Sequence, residues 1–165
     1  MNISKIATPV LATGVLGVIA AISVWAQEPW LAPSLGSAVF AQMLSPDQPS
    51  AKPYSVAVGQ LLGAVAGFAG VFVADATNVP TFMGDHRLTL ARAGAVALAL
   101  LLAAALQLAC KATTPAGGAT AVVVAIGAET PNWAGALHLA IGILLVTALG
   151  EAARQAILKM RAAES

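Results

Sequence analysis

Charge is what this sequence has least of. Only 9% of its 165 residues are charged and 5% are aromatic, whereas 59% are hydrophobic and the mean hydropathy is +0.85. A soluble domain has about 25% charged and about 45–50% apolar residues. The composition therefore excludes an ordinary soluble domain and predicts an integral membrane protein, with a single transmembrane domain over residues 1–165.

Basic runs, cysteine and clustered acids are also missing. With a net charge of +1 and no stretch of lysine and arginine, the chain has no long-range field that would gather nucleic acid. Cys110 is the only cysteine and is more typical of a small apolar filler than of a nucleophile. The His, Asp, Glu and Cys residues show no metal-ligand spacing, and no serine lies in a nucleophile elbow. We therefore expect no enzyme activity, no metal and no other cofactor.

Long apolar stretches dominate what is present. The first could pass for a secretory signal behind Lys5, but its roughly 20 residues exceed the 7–15 of a signal core, so we predict a spanning helix. Two apolar stretches of about 11 residues are too short to span a bilayer of about 30 Å as ordinary helices. The predicted fold is all-α, with four transmembrane helices at about 6–26, 54–74, 88–110 and 133–153 and two short re-entrant or half-spanning helices at about 34–44 and 117–127.

The two short stretches share a pattern. Each begins Pro-x-x-Gly, at Pro33 to Gly36 and at Pro115 to Gly118, and continues with small and apolar residues. Each also has one spanning stretch before it and one after it. This order predicts an internal repeat of the kind found in transporters, with repeat 1 at about 5–75 and repeat 2 at about 87–155.

The starts of the short helices are the candidate site. Proline suits the first helical turn, and Ser34 and either Thr113 or Thr114 are suited to be N-caps. A helix N-terminus presents free N–H groups and about half a positive charge, and glycine leaves room for an anion to approach. Two such starts brought together would bind an anion or a small polar solute. The alternative is that the prolines only end loops and the glycines only allow close packing.

The candidate pore residues are small or polar and belong to these starts or to the spanning helices. Lysines near the ends of the path would raise the local anion concentration, and Lys52 and Lys111 are the two candidates. The pore residues themselves are Ser34, Gly36, Ser37, Gln60, Thr113, Thr114, Gly117, Gly118 and Thr120.

Glycine spacing and basic residues bear on assembly and orientation. Gly59, Gly63 and Gly67 recur every four residues and predict a helix-packing face, whose partner lies either in the same chain or in a second subunit of a homo-oligomer. Basic residues near both termini favour a cytoplasmic location for both. Charge alone does not decide whether the short segments cross the bilayer.

Several of these pieces together resemble the HPP family of small integral membrane proteins. They are "LSPDQPSAKPYSVAVGQLLGAVAG" from Leu44 to Gly67, "APSLGSAVF" before it and "TTPAGGATAV" after it, in matching order over roughly residues 5–155. The Ser-Pro-x-x-Pro-x-Ala-x-Pro connector is the most specific piece. The resemblance implies a four-helix membrane protein with plastid and cyanobacterial relatives linked to nitrite transport, some of which carry CBS domains that we do not expect here.

The chain departs from the family pattern at two histidines. The His-Pro-Pro motif aligns with Thr114, Pro115 and Ala116, and a second family histidine aligns with Gln60. Both replacements keep hydrogen-bonding groups but remove titrating ones. We therefore expect a channel or transporter for a small inorganic anion, nitrite first, in a bacterial inner membrane or its equivalent. The alternative is a membrane assembly or regulatory module without transport.

Overall fold

A computed structural model describes residues 3–164 of the chain. Within them the protein is all-helical, and four helices are long and apolar enough to span a membrane. This confirms the predicted fold class. In chain order the helices are α1 (Ile3–Ala26), α2 (Leu35–Leu44), α3 (Pro53–Val73), the single turn α4 (Phe82–Asp85), α5 (Leu90–Ala109), α6 (Pro115–Ala125) and α7 (Trp133–Glu164), and a 3-10 turn (Pro49–Ala51) precedes α3.

The last helix differs most from its predicted bounds, because α7 continues to Glu164 rather than ending near residue 153. The apolar signal stops where charged residues begin, but the helix is continued by tertiary contacts. Ile157 is fully buried, and the Glu164 carboxylate accepts hydrogen bonds from Ser4 N at 2.9 Å and Ser4 Oγ at 2.7 Å. The start of α1 thus fixes the end of α7.

The long helices α1 and α7 are antiparallel. Ser4 contacts Glu164 at one end of the molecule, which we call the termini end, and His138 Nε2 lies 2.9 Å from Glu28 Oε2 at the other, the distal end. Helix α3 begins at the termini end and finishes at the distal end, where Phe72 and Trp133 line one groove. Helix α5 returns to the termini end, where Tyr54 Oη donates to the Cys110 carbonyl at 2.9 Å.

Each short helix, together with its linker, therefore carries the chain from one end of the molecule to the other. Helix α2 completes the passage from the distal end after α1 to the termini end before α3, and α6 leads from the termini end back to the distal end before α7. The short segments cross rather than turn back. Helices α1, α2 and α3 thus run in directions opposite to α5, α6 and α7, respectively.

The short helices pack reciprocally on the long helices of the other half. Helix α6 lies parallel to α3, with Gly117 against Gly63 and Val124 against Gly67. Helix α2 lies parallel to α7, with Leu35 against Gly142 and Gln42 against Gly150. An inverted repeat would produce this relation. The repeat and its boundaries stay a prediction.

The glycine face of α3 finds its partners within the same chain. A Cβ added to Gly63 would overlap the backbone of Gly117, and one added to Gly70 would overlap the Ala95 carbonyl of α5. Such small residues let helix backbones approach closely in a membrane. Leucine at Gly63 would therefore disrupt the fold of one chain rather than only an oligomer, and the face is no sign of a second subunit.

Candidate functional site

The start of α6 is held by a side chain from α5. Thr114 occupies the N-cap position in an extended conformation, and its backbone N–H donates to Gln107 Oε1 at 2.8 Å. The Thr114 hydroxyl makes no capping bond. It is buried, and Thr114 Oγ1 has no hydrogen-bond partner among residues 3–164. The predicted N-cap is thus in position, but its backbone rather than its hydroxyl is paired.

Two further predicted pore residues pair with each other between α3 and α6. Thr120 Oγ1 donates to the Ala116 carbonyl at 2.9 Å and lies 3.4 Å from Gln60 Oε1, while Gln60 Nε2 donates to the Val56 carbonyl at 3.3 Å. Both side chains are fully buried. Each of these side chains has at least one hydrogen-bond partner within the protein.

The two glycines at this start have opposite surroundings. A Cβ on Gly117 would overlap the Gly59 carbonyl and approach Gln107 Nε2, so only glycine fits there. A Cβ on Gly118 would meet nothing closer than Leu100 Cδ2 at 4.0 Å. Gly118 and Thr113 line an open, mostly apolar groove of about 360 Å³ on the outer side of α5 and α6.

The start of α2 is built differently. Ser34 precedes the helix in a helical conformation, which leaves its side chain unable to cap, and no capping bond is formed. Ser37 Oγ donates to the Ser34 carbonyl at 2.6 Å. Ser34 Oγ is buried and has no partner within the described residues. A Cβ on Gly36 would meet nothing within 4 Å.

The two helix starts are joined by an apolar seam. Leu35 and Ala38 of α2 belong to the same buried cluster as Ala116 and Val124 of α6. Within residues 3–164, hydrogen bonds join the predicted pore residues inside each start, but none links one start to the other. Apolar packing alone therefore connects the start with Ser34 and Ser37 to the start with Thr114.

Comparison with known proteins identifies the chain. A family model described as "HPP, transmembrane region" matches residues 3–161. The chain belongs to the HPP transmembrane family. No curated protein and no solved structure gives a match. Family membership and the four apolar helices make this an integral membrane protein and support a role as a transporter or channel.

Sequence reasoning missed three polar residues in the first half of this HPP protein. Gln42 is fully buried at the end of α2, and neither of its amide atoms has a partner within residues 3–164. Ser23 Oγ and Trp30 Nε1 are also buried and unpartnered. Gln42 could have been found, since it is an amide inside the otherwise apolar stretch "AVFAQML".

Two buried arginines fasten the C-terminal ends of the short helices of the HPP chain. Arg92 donates to the carbonyls of Ala125 at 3.2 Å and Val79 at 3.0 Å, so it ties α6 to the loop before α4. Arg154 donates to the Pro46 carbonyl at 2.7 Å just beyond α2. Arg154 also forms two hydrogen bonds with Glu151, at 2.6 and 2.8 Å. This ion pair is partly buried.

Charge is divided between the two ends of the HPP protein. All basic residues except Arg87 and Arg92 lie at the termini end, and all acidic residues except Asp47, Glu151 and Glu164 lie at the distal end. Lys52 and Lys111 are both exposed at the termini end, where Tyr54 bonds to Cys110. Anions therefore meet a positive field at this end.

One carboxyl at the distal end is perturbed, and metal-binding clusters are absent from residues 3–164. Burial raises the pKa of Glu129, in the loop between α6 and α7, and the charge of His138 opposes the shift. No group of three His, Cys, Asp or Glu side chains that could hold a metal forms in the described part of the chain.

Proposed function

We propose that this HPP protein passes a small inorganic anion across the membrane, with nitrite as the first candidate. The observation that carries the proposal is the pair of buried hydroxyls without partners, Ser34 Oγ and Thr114 Oγ1, at the starts of α2 and α6. A hydroxyl donates a hydrogen bond readily to an anion, and a helix start adds partial positive charge. Burial makes an unused hydroxyl costly, so a passing solute or water is its natural partner.

The charge distribution supports an anion rather than a cation. Lys52 and Lys111 lie at the termini end with most other basic residues, and we propose that this end faces the cytoplasm, as the positive-inside rule expects. The helix starts carry hydroxyl and amide groups instead of titrating histidines. Transport by this site therefore needs no side chain that changes charge, and its rate is expected to vary little between pH 6 and 8.

The test is anion entry into proteoliposomes that contain the purified full chain. Nitrite, nitrate, formate and chloride are presented separately, and entry is compared with that into empty vesicles of the same lipid. We expect nitrite to enter at least tenfold faster with the protein present. Ser34→Ala and Thr114→Val are expected to reduce this rate. Equal entry of all four anions into loaded and empty vesicles would refute the proposal.

The alternative was a membrane assembly or regulatory module without transport, and its assembly form loses its main support. It relied on the glycine face of α3, and this face contacts α5 and α6 of the same chain. A homo-oligomer stays a prediction that crosslinking in native lipid would test.

A further inference from the structure

The buried polar atoms without partners are distributed unevenly over the molecule. Within residues 3–164, the second half contributes only Arg92 Nε and Thr114 Oγ1. The first half contributes five atoms on four residues, which we call the polar lane: Ser23 Oγ, Trp30 Nε1, Ser34 Oγ, and Gln42 Nε2 and Oε1. Ser23, Ser34 and Gln42 are each at most 9% exposed.

The lane follows the contact between α2 and α7. Ser34 and Gln42 stand about 12 Å apart along α2. Their positions on α7 are marked by Gly142, which contacts Leu35, and Gly150, which contacts Gln42. The Trp30 carbonyl also contacts Gly142, so the linker before α2 reaches the same depth. Ser23 is on the buried side of α1, which packs on both α2 and α7.

The lane leads toward an open groove at the termini end. Leu44, two residues beyond Gln42, lines this groove of about 620 Å³ together with Ser4, Thr8, Lys5 and Arg161. Glu164 lines it as well, but its carboxylate already accepts both hydrogen bonds from Ser4. The Ser4 and Thr8 hydroxyls already donate to Glu164 and to the Ser4 carbonyl, so the groove offers the basic groups of Lys5 and Arg161 at the end of the molecule that is rich in positive charge.

We infer that the polar lane between α1, α2 and α7 is the hydrated route by which the anion crosses, and that the contact between α3 and α6 is closed along Gly63 and Gly67. A polar group left unpaired inside a membrane protein costs several kcal/mol, so a row of them is expected only where water or solute completes the hydrogen bonds. Hydroxyl, indole and amide groups all donate, and the lane residues include no carboxylate. These donors match a small anion. On the other side, Gln60 pairs with Thr120, and Gly63 touches Gly117.

The identity of the solute rests on the proposed function, whereas the position of the lane does not. Cysteine accessibility therefore tests the lane without any transport assay. In a Cys110→Ala background, single cysteines are introduced as Ser34→Cys and Gln42→Cys and treated with small charged thiosulfonates in proteoliposomes. The matched control is Val124→Cys, because Val124 is equally buried and contacts Gly67 of α3 as Gln42 contacts Gly150 of α7.

We expect the two lane cysteines to react at least tenfold faster than the cysteine at position 124, and faster with a sulfonate reagent than with a trimethylammonium reagent. Equal rates in monodisperse protein would overturn the lane, whatever the anion flux. Fast labelling without any anion entry would support the lane while refuting the proposed function. Faster labelling by the cationic reagent would overturn the choice of an anion.

A flux measurement completes the test. Gln42→Leu keeps the volume of the side chain but removes its amide, and we expect nitrite entry to fall at least tenfold. Thr147→Ala is the control, since the Thr147 hydroxyl donates to the Ile143 carbonyl of its own helix at 2.7 Å. Nitrite entry with Thr147→Ala is expected to stay within twofold of the rate measured with the unaltered protein. Unchanged entry with Gln42→Leu would contradict the route.

Discussion

Helices α2 and α6 have corresponding places in the fold, yet they pack in opposite ways. Helix α6 meets α3 backbone to backbone at Gly117, and the N–H of its N-cap residue Thr114 donates to Gln107. Helix α2 meets α7 with Ser34 and Gln42 buried and unpaired. The second half of the molecule therefore pairs most of its buried polar groups within the protein, apart from Thr114 Oγ1 and Arg92 Nε, whereas Ser34 and Gln42 in the first half have no partner within the described residues.

The C-terminal ends of the two short helices are more alike. Arg92 donates to the last residue of α6, and Arg154 donates to Pro46 just beyond α2. Cations are favoured at the negative end of a helix dipole, so each arginine stabilises the C-terminal end of its short helix. They differ in that Arg154 has Glu151 as a counter-ion, whereas none of the described ion pairs includes Arg92.

The largest expected effect comes from two adjacent glycines at the start of α6. Gly117→Ala would push a methyl group into the Gly59 carbonyl, and we expect a loss of about 3 kcal/mol or more in stability, because neither backbone can yield. Gly118→Ala has open space and is expected to change stability by less than about 1 kcal/mol, in the stabilising direction. Thermal unfolding followed by size-exclusion chromatography measures both. Similar losses for the two variants would contradict close backbone packing.

The next effect concerns the arginine behind α6. Arg92→Lys keeps the charge but replaces the guanidinium, which donates to the carbonyls of both Ala125 and Val79, by a single ammonium. We expect the free energy of unfolding to fall by about 2 kcal/mol. Arg87→Lys, at an exposed position, serves as the control and is expected to change nothing measurable. Thermal midpoints in the same detergent provide the comparison. An Arg92→Lys protein as stable as the control would show that the two carbonyl contacts contribute little.

A smaller effect compares two buried glutamines directly. Gln60→Leu removes the hydrogen bonds of Gln60 to Val56 and Thr120, so we expect a loss of about 1 kcal/mol. Gln42→Leu removes an amide that has no protein partner, so its stability is expected to be equal or higher. Thermal midpoints of the two variants measure the contrast. If Gln42→Leu is the less stable of the two variants, the α2–α7 contact and the α3–α6 contact do not differ in this way.

The smallest effect is a pH dependence at the distal end. Because burial raises the pKa of Glu129, the folded state holds the proton more tightly than the unfolded state, and stability falls as the pH rises from about 4.3 through the raised pKa. Glu129→Gln is therefore expected to stabilise the protein by less than about 1 kcal/mol at pH 7 and to lose this advantage below about pH 4. Midpoints at pH 4, 5.5 and 7 test the sign. A Glu129→Gln variant less stable at pH 7 would contradict it.

Sequence patterns predicted the four long helices and the two short ones with small errors in their bounds, except at the end of α7. Apolar runs and the Pro-x-x-Gly starts are local signals, so α2 and α6 could be found from the order of residues alone. The extension of α7 to Glu164 could not, because it depends on Ser4 at the other end of the chain. The partner of the glycine face was equally unreadable, since Gly63 signals close approach but not the helix that approaches.

The candidate site was predicted only in part, for a similar reason. Thr114 and Ser34 were identified as helix starts, and both hydroxyls are buried, but their pairing depends on side chains such as Gln107 that come from another helix. Gln42 escaped notice because an amide one turn from a helix end is common by itself. Its significance comes from the packing against Gly150, which leaves the amide buried without a partner among residues 3–164.

The sequence by itself determined that this protein lies in a membrane, that it forms four long and two short apolar helices and where proline and glycine interrupt them, since hydropathy, proline and glycine act on their own neighbourhood. Only the tertiary structure decided that the short segments cross, that α6 is packed against α3, and that Ser34 and Gln42 are buried without partners among the described residues. Inside a membrane, the hydrogen-bond partner of a side chain depends on which helices pack together, and the order of residues along one segment does not contain that information.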